Sequence, residues 1–353
     1  ILFVSKMIRH LNSDIYLWLF LNCLMIIIMV VIGGTTRLTE SGLSMIDWNL
    51  FKGILPPLNE KDWLKLFNDY KNYPEYKLIN FDITIYEFKK IFFWEYVHRI
   101  WGRLIGLTFL IPFFYFLLKK RFSIGLIKFL LPILFLGCFQ GFMGWYMVES
   151  GLSDRPDVSQ YRLASHLIIA FIIYVLLLFL TWNQYRSNMI RKSKNTKVHF
   201  SPFSLCFFLT LITVISGAFV AGTDAGLAYN NFPMMGDSFF PPDPFLIEPF
   251  WKNFFENVGL VQFDHRLLAT ITATIILIVS FSYYKKYKKS MTGILIGTLI
   301  LLITLQYVLG IITLKLYVPI ALGVIHQLGS LAILTILTLI LSEFYTIKKG
   351  VIN

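Results

Sequence analysis

Six histidines occur in this 353-residue chain, and four of them stand where a histidine is costly. His98, His166, His265 and His326 each fall in or at the mouth of a long apolar run, whereas His10 and His199 lie in terminal or loop segments and are given no role. An ionisable side chain at membrane depth is a candidate for function because its desolvation must be offset. One such residue alone could simply hydrogen-bond at the interface. Two imidazoles offered by one helix bundle suit axial ligation of a haem iron, one on each face of the ring. Zinc takes three or four protein ligands, and copper commonly recruits Cys or Met as well. Neither pair has clear additional donors nearby in sequence.

Other residues sit close to these four. Arg99 and Arg266 directly follow two of the histidines, and Arg37 and Arg103 lie at the same outward level. Guanidinium forks suit the two propionates of a haem; interfacial snorkelling is the other reading. One turn beyond each histidine stands a small residue, Gly102, Ala170, Ala269 or Ser330. A small side chain on that face makes room for a flat macrocycle, or lets helices pack closely. Glu95 precedes His98 by three residues, and Gln262 holds the corresponding place before His265. A carboxylate there could move a proton or stabilise a developing cation, or could be a helix-start acid favoured by the macrodipole. An amide can do neither job.

The elements that must position these groups are membrane helices. Charged residues are confined to short gaps between long apolar stretches, in a chain that is 56% hydrophobic with mean hydropathy +0.66. Eight stretches are long enough to cross about 30 Å of hydrocarbon: residues 15–34, 96–118, 124–147, 162–183, 203–222, 265–284, 292–313 and 319–342. The gaps alternate in charge. Lys119, Lys120 and Arg121, then Arg186, Arg191, Lys192, Lys194 and Lys197, then Lys285, Lys286, Lys288 and Lys289 are basic without acids, while the gap near 223–264 is strongly acidic. The positive-inside rule puts both termini and the basic gaps in the cytoplasm and the long gaps 35–95 and 223–264 outside.

The two halves echo each other. Thr39-Glu40-Ser41-Gly42-Leu43-Ser44 pairs with Thr223-Asp224-Ala225-Gly226-Leu227-Ala228, His98-Arg99 with His265-Arg266, Gln140 and Gly144 with Gln306 and Gly310, and His166 with His326, at offsets of 184, 167, 166 and 160. Four repeat-equivalent histidines argue against coincidence. An even number of spans per unit gives both copies one orientation, with the pseudo-symmetry axis along the membrane normal. The expected fold is an all-α integral membrane protein of eight transmembrane helices, arranged as two pseudo-symmetric four-helix bundles, N-in and C-in. Residues 1–190 form the first half and 191–353 the second.

Composition excludes several classes. The net charge of +12 lies in loops beside apolar segments, where anionic lipid and orientation account for it, so no nucleic-acid partner is expected. Cys23, Cys138 and Cys206 lie inside apolar stretches without metal or redox spacing and are expected to be small core residues. The first apolar run is too long for a signal-peptide core and is read as a retained helix. No Arg-rich, Ser-rich amphipathic leader precedes it, which favours a bacterial inner membrane over the mitochondrial one; the chain opens on Ile1, so its start is left open.

Five segments carry a family resemblance: Gly33-Gly34-Thr35-Thr36-Arg37-Leu38-Thr39-Glu40-Ser41-Gly42-Leu43-Ser44, Glu95-Tyr96-Val97-His98-Arg99, Gly222-Thr223-Asp224-Ala225-Gly226, Phe263-Asp264-His265-Arg266 and His326-Gln327-Leu328-Gly329. Together they resemble the signature segments of haem A synthase, over about residues 16–342. The resemblance implies oxidation of the C8 methyl of haem O to a formyl group through alcohol and hydrated-aldehyde stages, giving haem A for cytochrome c oxidase. It implies that His265 and His326 ligate a resident haem B, with electrons relayed from that half to the other. It implies that His98 and His166 bracket the substrate haem, with Glu95 nearby assisting proton transfer or stabilising a cation. Some members carry a cysteine pair in the first outward loop; the 35–95 loop has none, which points to the cysteine-free branch.

The runner-up is a non-enzymatic di-haem membrane cytochrome b that transfers electrons. It fits composition and histidine placement equally well and is disfavoured by Glu95 and the motifs. A transporter built on a parallel repeat would show broken helices at mid-membrane, and the spans carry little of that beyond Pro112 and Pro132. Expected partners are haem O and haem A, the lipid bilayer, a haem O synthase and an unidentified electron donor. The sequence leaves a homo-oligomer open.

Overall fold

A computed structural model of the chain describes residues 2–46, 53–153, 158–189 and 202–349. The basic run Arg191, Lys192, Lys194 and Lys197, His199 and the half boundary at 190/191 lie outside the described residues. The elements are α1 (Leu2–Leu38), α2 (Glu60–Tyr70), α3 (Pro74–Leu78), α4 (Ile85–Leu118), α5 (Ile124–Ser153), α6 (Gln160–Met189), α7 (Pro202–Gly222), α8 (Asn253–Glu256), α9 (Val258–Tyr287), α10 (Met291–Lys315) and α11 (Ile320–Lys349). Short 3₁₀ turns cover Ala225–Leu227 and Phe250–Lys252. Among the described residues, eight helices are long and apolar enough to span a bilayer. They are α1, α4, α5, α6, α7, α9, α10 and α11. The protein is an all-helical, multi-pass membrane protein. Side chains such as Ile111, Phe135 and Ile278 leave their helices exposed, as lipid-facing residues do.

The chain divides into two compact units, residues 25–170, and residues 1–24 with 171–353. In the second of these, α7, α9, α10 and α11 pack pairwise into a bundle. Its sealed apolar core gathers Phe203 and Cys206 from the start of α7 and Leu295 and Ile296 from the start of α10. Leu337 and Ile340 from the later part of α11 complete it. His265 and His326, early in α9 and α11, therefore sit toward the opposite end of the bundle. Cys23 and Cys206 are buried, as expected of core residues; Cys138 is instead exposed on α5.

In the unit 25–170 the second span starts earlier than hydropathy alone indicates. The apolar run begins near 96, yet α4 begins at Ile85. Thr84 caps it: its side chain accepts from the Glu87 backbone N–H, while Glu87 accepts from the Thr84 N–H at 2.9 Å. The extra turns are held by aromatic packing. Phe88 and Phe92 join Met45, Phe67 and Tyr70 in a small aromatic core, with Trp63 edge-on to Phe92 at 5.0 Å. The described residues between α1 and α4 thus form a folded cap on the N-terminal turns of α4. Within it Tyr70 donates to the buried Glu75 carboxyl at 3.0 Å, and Asn80 donates to the Tyr70 oxygen at 2.9 Å. Burial pushes the Glu75 carboxyl up to about 8, the charges of Glu95 and Glu40 adding to the rise.

The repeat extends to the backbone. Glu40 and Asp224, which correspond at the offset of 184, both adopt left-handed φ (52° and 51°) just beyond α1 and α7. This turns the chain sharply off each helix end; after α1 the Ser41 N–H closes the last turn on the Thr36 carbonyl at 2.9 Å.

Candidate functional site

Each unit holds one pair of the predicted histidines. His98 (α4) and His166 (α6) lie within electrostatic range of one another in the unit 25–170, and His265 (α9) and His326 (α11) do so in the other. Every ring is half-buried. None stands at the first residue of its helix. His98 is the fourteenth residue of α4, His265 the eighth of α9, and His166 and His326 the seventh of α6 and α11. The helices are firm platforms at these depths, a turn or more inside their frayed ends.

The seating of the rings follows one rule. Each imidazole lies over a glycine of the long apolar helix before it, α1, α5, α7 or α10. A Cβ placed on Gly33 would stand 3.2 Å from Cε1 of His98, on Gly144 3.5 Å from that of His166, on Gly217 3.0 Å from that of His265, and on Gly310 2.9 Å from that of His326. Gly33 and Gly217 correspond in the repeat, as do Gly144 and Gly310. Gly102, one turn beyond His98, instead faces Met29 of α1 at 3.4 Å, so close helix packing accounts for it. The small residues that shape the site therefore lie across the helix interface from the rings. Sequence reading noticed Gly144 and Gly310 as repeat markers without a contact to assign to them.

Amides complete the seats on α6 and α11. Gln140 Nε2 donates to the His166 carbonyl at 3.0 Å, and Gln306 Nε2 to the His326 carbonyl at 2.8 Å. Gln306 also reaches His326 Nδ1 at 3.2 Å. Gly329 leaves the space that the Gln306 carboxamide fills, a reason for the glycine three residues after His326. His265 Nδ1 meets Ser216 Oγ at 2.8 Å, a contact that sequence reading missed.

Glu95 and Gln262 play parallel structural parts with opposite hydrogen-bond sense. Glu95 is 3% exposed. One of its oxygens accepts from Ser44 Oγ and the Met45 N–H, both at 2.7 Å, and the other from Arg99. Arg99 in turn donates to the Met45 carbonyl at 2.6 Å. Glu95 and Arg99 thus grip both sides of the Met45 peptide and fasten the start of the cap to α4. In the other unit Gln262 donates to the Ala225 and Tyr229 carbonyls at 2.6 and 3.1 Å and accepts from Arg266 at 3.0 Å. Arg266 adds bonds to the Tyr229 and Met234 carbonyls at 2.7 and 3.1 Å. Glu95 is the eleventh residue of α4, about three turns in, so the macrodipole, which acts within the first turn, does not explain it. A carboxylate with both oxygens engaged by donors is a fixed charge rather than a swinging carrier. Arg103 stands one turn beyond Arg99 on α4, and Arg37 in the last turn of α1; both are half-buried.

These surroundings fit a haem. Among the described residues no group of three or more His, Cys, Asp or Glu side chains converges to hold a metal ion, so the histidines could act only as paired donors. The glycine seats bring each ring against a helix backbone, where a macrocycle would otherwise meet side chains. At His265 the ring contact falls on Nδ1, from which Ser216 Oγ can accept, leaving Nε2 to ligate.

Fold and site together define a multi-pass helical membrane protein carrying two histidine pairs, one in each compact unit. Residues 16–338 match the family model described as Cytochrome oxidase assembly protein. A protein named Heme A synthase from Nitrosospira multiformis is 45% identical over 330 residues, covering 92% of this chain and 91% of the relative. A protein named Heme A synthase COX15 from Bos taurus is 43% identical over 332 residues, covering 91% of this chain and 79% of the relative. The human counterpart is likewise 43% identical, covering 91% and 80%. The chain belongs to the haem A synthase family.

Proposed function

We propose that this chain oxidises the C8 methyl of haem O to a formyl group, giving haem A for cytochrome c oxidase. The observation that carries the reading is the duplicated seat: two histidine pairs, each ring lying over a glycine of the preceding long apolar helix, in a member of this family. His265 and His326 are the ligands of a resident haem B, which supplies one-electron transfer when bound. His98 and His166 bracket the substrate haem O. Residues 1–190 are then the substrate half and 191–353 the resident-haem half.

The chain's own groups have separable tasks. Glu95 holds a fixed negative charge beside His98, suited to steadying positive charge that develops on the substrate, and keeps Arg99 and the cap in place. Arg99 and Arg266 tie the outward loops to α4 and α9, and with Arg37 and Arg103 they form the basic level that receives propionates. The folded cap over 35–95 limits access of water to the substrate pair. The alternating charge of the gaps supports N-in and C-in topology with the histidines toward the outer face, in a bacterial inner membrane. A haem O synthase as supplier and a separate electron donor complete the reaction.

Incubation of the purified protein with haem O, reductant and O₂ tests this. The expected products are the hydroxylated intermediate and haem A. Unchanged haem O with a well-folded preparation would refute it.

A further inference from the structure

The two histidine pairs are seated alike but anchored differently. Ser216 Oγ lies 2.8 Å from His265 Nδ1 and 2.8 Å from the Thr213 carbonyl, to which it donates. A hydroxyl has one proton. With that proton directed to Thr213, the oxygen accepts from Nδ1–H. This fixes the tautomer of His265, with the lone pair on Nε2, and fixes the ring's rotation. His326 Nδ1 also has a contact, but of the other sense: the Gln306 Nε2 amide, a donor, lies 3.2 Å away.

The other pair lacks these anchors. Nδ1 of His98 and Nδ1 of His166 are buried and, among the described residues, have no protein hydrogen-bond partner. Gln140 reaches the His166 carbonyl at 3.0 Å but makes no bond to the ring. At the offset of 184 that aligns Gly33 with Gly217, the counterpart of Ser216 is Ile32, a buried side chain with no polar atom. The serine acceptor is therefore replaced by a purely aliphatic sec-butyl group in the half that would hold substrate.

We propose that Ser216 is a positioning residue that makes His265 a permanent ligand, and that Ile32, by denying His98 the same anchor, leaves the first pair releasable. This rests on the two-haem reading above and explains how one scaffold, used twice, retains one haem and discharges another. An acceptor on Nδ1–H raises the basicity of Nε2 and removes the cost of orienting the ring when the ligand binds. A more basic imidazole also favours ferric over ferrous iron. A ligand without the anchor binds more weakly and lets product leave.

The experiment uses the purified full chain and compares wild type with Ser216→Ala, Ser216→Thr and Ile32→Ser. Two quantities are read: the rate of transfer of each haem to an excess of a soluble haem-scavenging protein, and the midpoint potential of each haem by spectroelectrochemistry. Loss of an outer partner typically costs about 10-fold to 100-fold in affinity. Ser216→Ala is expected to speed loss of haem B by that order and raise its midpoint potential. Ser216→Thr, which keeps the hydroxyl, is expected to restore both. Ile32→Ser is expected to slow release of haem O and its products. The proposal is overturned if Ser216→Ala leaves haem B loss and potential at wild-type values, or if Ser216→Thr behaves as Ser216→Ala. Wild-type protein without haem B would refute the two-haem reading itself before any variant is compared.

Discussion

The glycine seats make a graded prediction. Ordinary contact of a Cβ with a ring atom begins near 3.4 Å, and a Cβ on Gly310 would stand 2.9 Å from His326 Cε1. Gly310→Ala therefore pushes the imidazole back by about 0.5 Å, or strains α10 to the same extent. Gly217→Ala, at 3.0 Å from His265, demands nearly as much; Gly33→Ala, at 3.2 Å from His98, about half; Gly144→Ala, at 3.5 Å from His166, almost nothing. Overpacking of this kind costs about 1–3 kcal/mol, or roughly 5-fold to 150-fold in affinity. The assay is haem content per protein after purification, together with haem transfer to a competing scavenger. Loss should rank Gly310 and Gly217 first, Gly33 next and Gly144 last, and should follow the haem held by the affected pair. Equal loss from Gly144→Ala and Gly310→Ala, or no loss from any, would refute the inference that these glycines seat the ligand histidines.

Three further outcomes follow. Glu95→Gln should abolish or sharply slow haem A formation while haem B at the other pair is retained; haem A made at the normal rate would remove Glu95 from the mechanism. Because the Arg99 guanidinium would lose its buried carboxylate partner, the same variant should also destabilise the cap by about 3–5 kcal/mol, read as faster proteolysis of residues 53–84. The raised Glu75 carboxyl gives the cap a pH dependence. Its folded value of about 8 lies above the ordinary 4.5, so its contribution is fully present below about 4.5 and is lost as pH rises through 8. Protection of cap amides, taken relative to their intrinsic exchange rate at each pH, should fall between pH 5 and 9, and Glu75→Gln should flatten that profile; a profile unchanged in the variant would assign the dependence to another group. Thr84→Ala should cost about 1 kcal/mol and fray the outward turns of α4, seen as local loss of exchange protection over 85–92.

The eight spans and the four histidines were legible because both depend on local facts: apolar length against bilayer thickness, and polar side chains where polar side chains are costly. The first turns of α4 were not, since 85–95 carries Glu87, Lys89, Lys90 and Glu95 among its aromatics and reads as loop. It is helical because Thr84 and Glu87 cap it and Phe88 and Phe92 find partners in the cap, which are tertiary facts. The contrast of Glu95 with Gln262 was visible, but its meaning was not. Only the structure shows the carboxylate accepting from a peptide N–H and the amide donating to carbonyls at equivalent loops. The glycine seats were half legible, as repeat markers without contacts. Ser216 left one sequence signal, its replacement by Ile32 at the offset of 184, and such a signal has weight only once a ring nitrogen is seen beside it.

The central claim is that the two histidine pairs hold different pigments. It is tested most directly by extracting and mass-analysing the pigments of the purified protein, alongside those of His265→Ala and His98→Ala. The account predicts haem B together with haem O, its hydroxylated intermediate or haem A in the wild type, loss of haem B from His265→Ala, and loss of the substrate-derived pigments from His98→Ala. Wild-type protein free of haem, or a His265→Ala variant with its full complement of haem B, would contradict it.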